Sequence, residues 1–121
     1  MKKFLISLFL ILLITTKASA ITYIQASKQN KPIVILFVMT GCSACKQFKP
    51  LLNQFKPKYA TKYIFVEENI TYSVSAVAQR LNVNMAPSLF ILEPKKNKVR
   101  EMRYECMMNI QCLDGALKSY K

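Results

Sequence analysis

The chain predicts a single α/β domain with its first strand central in the sheet, and three observations carry that expectation. The run Ile33 to Met39 is apolar throughout, as in a strand buried on both faces. Phe48, Leu51, Leu52 and Phe55 follow it at helical spacing, so a strand feeds directly into an amphipathic helix. Beyond them strand and helix patterns alternate, closing on two strands and a last helix, an order that suits layers of helix against sheet.

The first 20 residues read as an export leader rather than as part of that domain. Lys2 and Lys3 open it, Phe4 to Ile14 is apolar but short for a membrane span, and Ala18-Ser19-Ala20 fits a small-x-small cleavage site. The expectation is a signal peptide over 1–20, a domain over 21–121, and a periplasmic or secreted protein. Left uncleaved, the same segment would be a membrane anchor.

Within the domain, Thr22 to Asn30 reads as a short polar helix ended by Lys31-Pro32, and Ile33 to Met39 as a central strand. A helix follows from Ala44 to about Phe55, with Pro50 placed to kink it. Lys62 to Glu67 reads as a second buried strand and Tyr72 to Leu81 as a helix. Ser88 to Glu93 and Val99 to Glu105 read as strands joined by a turn over Pro94 to Lys98, and Ile110 to Tyr120 as the final helix.

Chemistry concentrates at Cys42-Ser43-Ala44-Cys45, on the junction of the first strand and its helix. A sulfur at a helix N-terminus meets unpaired N–H groups and the positive end of the helix dipole, which favours thiolate. The second sulfur lies one turn inside, close enough to close a disulfide. In an oxidising compartment an even cysteine count suggests bridges, and proximity along the chain favours Cys42 with Cys45 and Cys106 with Cys112. A four-sulfur zinc site is the rival use, but five residues separate Cys106 from Cys112, wider than the usual zinc knuckle. No resident metal or other cofactor is therefore expected.

The chain contains no histidine, which removes Cys-His and Ser-His nucleophile pairs and histidine metal ligands. Reactivity must run on sulfur. Removing Lys2, Lys3 and Lys17 with the leader lowers the net charge from +12 to +9. The lysines look scattered along the sequence, and an exported protein rarely meets nucleic acid, so a solvated basic surface is the plain reading, with acidic partners or anionic membrane as the alternative.

Together these features resemble the thioredoxin superfamily. Pro50 stands five residues after Cys45, where thioredoxins carry a helix-kinking proline, and Arg80 to Leu92 resembles the segment entering the family's cis-proline loop. Pro87 matches that proline, 45 residues beyond Cys42. The resemblance implies a thioredoxin-like α/β fold, a central mixed sheet flanked by helices with the C-x-x-C at the N-terminus of a kinked helix. It also implies catalytic Cys42 and Cys45 and a substrate platform from Gly41, Ser43, Ala44, Ala86 and Pro87. A cis Ala86–Pro87 bond would leave the Ala86 backbone free to pair with an extended substrate.

The departures from thioredoxins proper narrow the expectation. Tryptophan is absent, Ser43-Ala44 replaces Gly-Pro between the cysteines, and Leu36 stands where thioredoxins bury an aspartate. General-base help for Cys45 then falls to water, to the leaving thiolate, or to Glu67 or Glu68 if one points inward. Without a charged partner for Cys42, a mild or reducing potential is expected. Alanine before the second cysteine is most similar to periplasmic reductase domains.

The implied function is exchange or reduction of protein disulfides by a monomer that binds no nucleic acid and is reset by a membrane electron-donating reductase. Cys106 and Cys112 are read as a structural staple, with an internal relay to Cys42 as the alternative. Two rival functions remain: a copper-handling thioredoxin-like chaperone using Cys42 and Cys45 with Met39 and Met85, and a non-catalytic interaction domain whose C-x-x-C is only a bridge.

Overall fold

The computed structural model describes residues 21–121, so the expected leader lies outside the described residues. Ten elements follow one another: α1 (Tyr23–Ser27), β1 (Ile33–Val38), α2 (Ser43–Lys58), β2 (Ile64–Asn69), α3 (Ala76–Arg80), β3 (Ser88–Glu93), a 3-10 turn (Pro94–Lys96), β4 (Lys98–Glu101), α4 (Tyr104–Met107) and α5 (Ile110–Ser119). The four strands lie in the order β2-β1-β3-β4. β1 runs parallel to β2 and antiparallel to β3, and β3 runs antiparallel to β4. The parallel pair needs a crossover, which α2 supplies.

Alternation along β1 divides the core in two. Val34, Leu36 and Val38 face a cluster with Phe48, Leu52 and Phe55 of α2 and Leu113 and Leu117 of α5. Ile33, Ile35 and Phe37 face the opposite layer, with Ala26 of α1 and Val77 and Ala78 of α3. Both faces of β1 are therefore covered and all six of its residues are buried, as a continuous apolar run requires. The end of β1 delivers the chain straight to Cys42.

Several segments differ from the sequence expectation. α1 is shorter than the expected span because Thr22 and Gln25 form a capping box that starts it and Lys28 closes it. β2 stands at the sheet edge with Val66 as its one fully buried residue, not as a buried strand. α3 begins at Ala76 rather than Tyr72, because Ser75 caps it and Asn69 and Thr71 fold the intervening chain into a turn. α2 extends to Lys58, beyond the expected end near Phe55, with Pro50 and Pro57 inside it.

The last expected strand also ends early, at Glu101. After the backbone bond from Met102 N to Leu89 O at 2.8 Å, the chain turns into α4 with Arg103 at its N-cap. Cys106 thus sits in a helical turn rather than beyond a strand.

Candidate active site around Cys42 and Cys45

A turn aims the first cysteine. Cys42 N donates to Met39 O at 3.3 Å, and Gly41 within that turn has φ +78°, a conformation that favours glycine. Thr40 N donates to Thr71 Oγ1 at 2.7 Å, and Asn69 Nδ2 donates to Thr40 Oγ1 at 3.1 Å. The end of β2 thereby holds the loop that carries the motif. Thr40, Asn69 and Thr71 had no sequence signal beyond their place next to strand ends.

Cys42 is the N-cap of α2, and Cys45 N lies 3.1 Å from Cys42 Sγ. The sulfur therefore accepts from an orphan helix N–H, the contact that stabilises a thiolate. Cys42 and Cys45 are joined as a disulfide with Cα atoms 5.3 Å apart. Cys42 is half-buried, whereas Cys45 is 2% exposed and packs in the cluster beneath α2. One sulfur is open to a partner and the other is shielded.

Across from them lies the loop before β3. The Ala86–Pro87 peptide is cis, Ser88 Oγ donates to Met85 O at 2.8 Å, and the Ala86 carbonyl oxygen is 3.7 Å from Cys42 Sγ. Gly41 and Ser43 are exposed, Ala44 and Ala86 half-buried, and Pro87 buried. A groove of about 670 Å³ runs from Met85, Ala86 and Pro87 past Met102 to Tyr104 and Met107. α4, whose first two residues fall within the expected last strand, builds its far wall.

Beneath the cysteines the site is apolar. Leu36 is 2% exposed and shares the cluster with Cys45. Its parallel partner is Glu67, an exposed residue whose Oε2 lies 3.2 Å from Lys49 Nζ. Glu68 accepts from Ser75 Oγ at 2.5 Å and so serves the α3 cap. Neither carboxylate is packed in the core with Cys45.

Cys106 and Cys112 form the second bridge, linking α4 to the first turn of α5, with Cys112 exposed. They line a separate hollow with Arg103, Glu105 and Asn109. Among the described residues no group of three or more Cys, Asp or Glu is placed to hold a metal ion. Met39 and Met85 are exposed, on the two loops that meet Cys42.

A four-stranded sheet with a C-x-x-C disulfide capping the helix after its central strand, opposite a cis-proline loop, defines a thioredoxin-like protein. The chain belongs to the thioredoxin family, whose family model matches residues 13–110. It is 31% identical over 67 residues to a thioredoxin H-type of Chlamydomonas reinhardtii, an alignment covering 55% of this chain and 58% of that relative. Among solved structures it is similar to the germline-specific thioredoxin Deadhead of Drosophila melanogaster (TM-score 0.65, 19% identity, 87% of this chain and 100% of that one). It is also similar to mitochondrial thioredoxin 3 of Saccharomyces cerevisiae (TM-score 0.62, 23% identity, 78% of this chain and 83% of that one). These two likenesses show the fold.

Proposed function

We propose that the protein is an exported thiol-disulfide oxidoreductase that reduces or exchanges protein disulfides through Cys42 and Cys45. The observation that carries this reading is the pairing of a half-buried, N-capping Cys42 with a buried Cys45 one turn along, facing the Ala86 carbonyl. A bridge serving only as a staple needs neither the helix N-terminus nor the open groove.

In the reduced protein the Cys42 thiolate attacks one sulfur of a substrate disulfide, forming a mixed disulfide and expelling the other sulfur as a thiolate. Cys45 then loses its proton and attacks Cys42 Sγ. The bond to substrate breaks, the substrate leaves as a dithiol, and Cys42–Cys45 closes as the oxidised pair. Two electrons pass to the substrate, with two protons from Cys45 and solvent. With Leu36 under the site, the departing substrate thiolate is the nearest strong base for the Cys45 proton.

Reset requires an external dithiol. A membrane electron-donating reductase outside the cytoplasm fits the export leader read over residues 1–20 and the family's mode of recycling. The test is direct: the reduced chain should reduce a protein disulfide such as that of insulin, and Cys42→Ser should abolish the reaction. Localisation is tested by fractionating cells that express the full chain, where retention in the cytoplasm would overturn the exported reading.

Exposed Met39 and Met85 beside Cys42 favour one second reading, transfer of monovalent copper by a soft sulfur set. Retention of copper by the anaerobic reduced protein against a chelator, without disulfide turnover, would select it.

A further inference from the structure

The lysines that look dispersed along the sequence converge in the fold. Ile33 pairs with Ile64 of β2 and Leu92 of β3, so the segments before β1, before β2 and after β3 share one end of the sheet. Cys42 follows the other end of β1 and Pro87 precedes the start of β3. A six-residue strand, roughly 20 Å long, separates the two ends. At the end remote from the cysteines stand Lys28, Lys31, Lys95, Lys96 and Lys98, all exposed.

Local contacts confirm the convergence. Lys95 Nζ donates to Asn30 Oδ1, tying the 3-10 turn to the α1–β1 loop. Lys31, Lys95 and Lys96 line one hollow of about 270 Å³, and Lys98 borders its neighbour with Tyr23 and Arg80. The carboxylate set among these cations is Glu93, with its Oε2 3.3 Å from Lys96 Nζ. Lys62, at the same end, is already spent on the carbonyls of Leu117 and Lys118 at 2.8 and 3.0 Å.

We propose that this end is a docking surface for anionic phospholipid headgroups, which seats the domain on a membrane with Cys42 and Cys45 facing away from it. Flexible lysine ammoniums suit a diffuse sheet of phosphates better than the planar recognition that arginine provides. Val99, 58% exposed, lines the Lys98 hollow and offers an apolar contact among the charges. Tyr23 lines the same hollow.

The test mixes the full chain with vesicles of phosphatidylcholine alone or with about 30 mol% phosphatidylglycerol and measures the bound fraction by sedimentation. The apolar N-terminal stretch is common to every arm, so the anionic-to-neutral ratio isolates the lysines. The unaltered chain should favour anionic vesicles by at least about tenfold at low salt and lose that preference as salt rises.

Lys31→Glu, Lys95→Glu and Lys96→Glu together should bring the ratio to within about twofold of unity. Lys46→Glu, Lys49→Glu and Arg103→Glu, the same change of net charge at the cysteine end, should keep most of it. Should the first triple fail to fold, the milder Lys31→Gln, Lys95→Gln and Lys96→Gln set should still lower the ratio. Equal losses from the two charge-reversal triples, no anionic preference, or capture of polyglutamate while the vesicles are ignored would each overturn the proposal.

Discussion

Cys42 Sγ lies 3.7 Å from the carbonyl oxygen of Ala86, a contact made across 44 residues of chain. It brings the half-buried sulfur to the backbone edge on which an extended substrate would lie. Cys45, by contrast, is enclosed by the core. The reduced protein should therefore alkylate at Cys42 much faster than at Cys45, read by mass spectrometry of timed quenches. Cys45→Ala should accumulate mixed disulfides with substrate. Equal rates at the two thiols would remove the division of roles.

The second bridge has a different expected signature. It closes a short loop between α4 and α5, so Cys106→Ala with Cys112→Ala should cost roughly 2 to 3 kcal/mol of stability by chain entropy. Turnover at permissive temperature should stay near normal, because the exchange chemistry is complete in Cys42 and Cys45. Denaturant titration and a disulfide-reduction assay on the same variant check both halves. A folded variant that cannot be recycled, or a trapped Cys42–Cys106 species, would favour the relay.

Gly41 gives a conformational test. No atom lies within 4 Å of the Cβ that alanine would add, so Gly41→Ala is penalised through its φ of +78° alone. The expected loss is roughly 1 kcal/mol, with Gly41→Asn less affected because asparagine tolerates positive φ. Turnover should fall with the alanine variant if the turn aims Cys42. Chemical denaturation compared with initial rates separates the two effects.

Asp114 predicts an acid-side dependence of stability. The Tyr59 hydroxyl and then Lys58 Nζ, at 2.9 Å, bond its carboxylate and hold it below the ordinary aspartate range. A carboxylate depressed in the folded state stabilises above its unfolded pKa, about 4, and that contribution is lost as pH falls through the lower folded value. Asp114→Asn should thus melt at a lower temperature at neutral pH, and its deficit should close below about pH 4. A deficit unchanged across that range would assign the effect to packing instead.

Legibility followed the physics of each segment. Ile33 to Val38 declared itself because burial on both faces leaves a continuous apolar run, and Phe48, Leu52 and Phe55 because one face of α2 is core. The stretch after Asn69 misled because Tyr72 and Val74 fit a helical pattern yet are exposed. Asn69 Oδ1 accepts from Thr71 N and Ser75 Oγ accepts from Ala78 N, and these local bonds fix a turn there. Val99 to Glu105 misled likewise, since nothing in its apolar spacing marks where Met102 leaves the sheet. The site cysteines and Pro87 were visible as motifs. The groove wall at Tyr104 and the gathering of Lys31, Lys95 and Lys96 depend on strand pairing, which no local pattern encodes.

Whether Cys42 and Cys45 exchange electrons or only staple the chain is decided by the reduction potential of the pair, measured by equilibrating the protein with glutathione redox buffers. A redox-active thiol pair with its half-buried sulfur at a helix N-terminus, in a chain without histidine, should lie between about −300 and −180 mV, on the reducing side of the strong oxidants. A value well below about −300 mV, with no turnover of a protein disulfide, would show a structural bridge and contradict the oxidoreductase account.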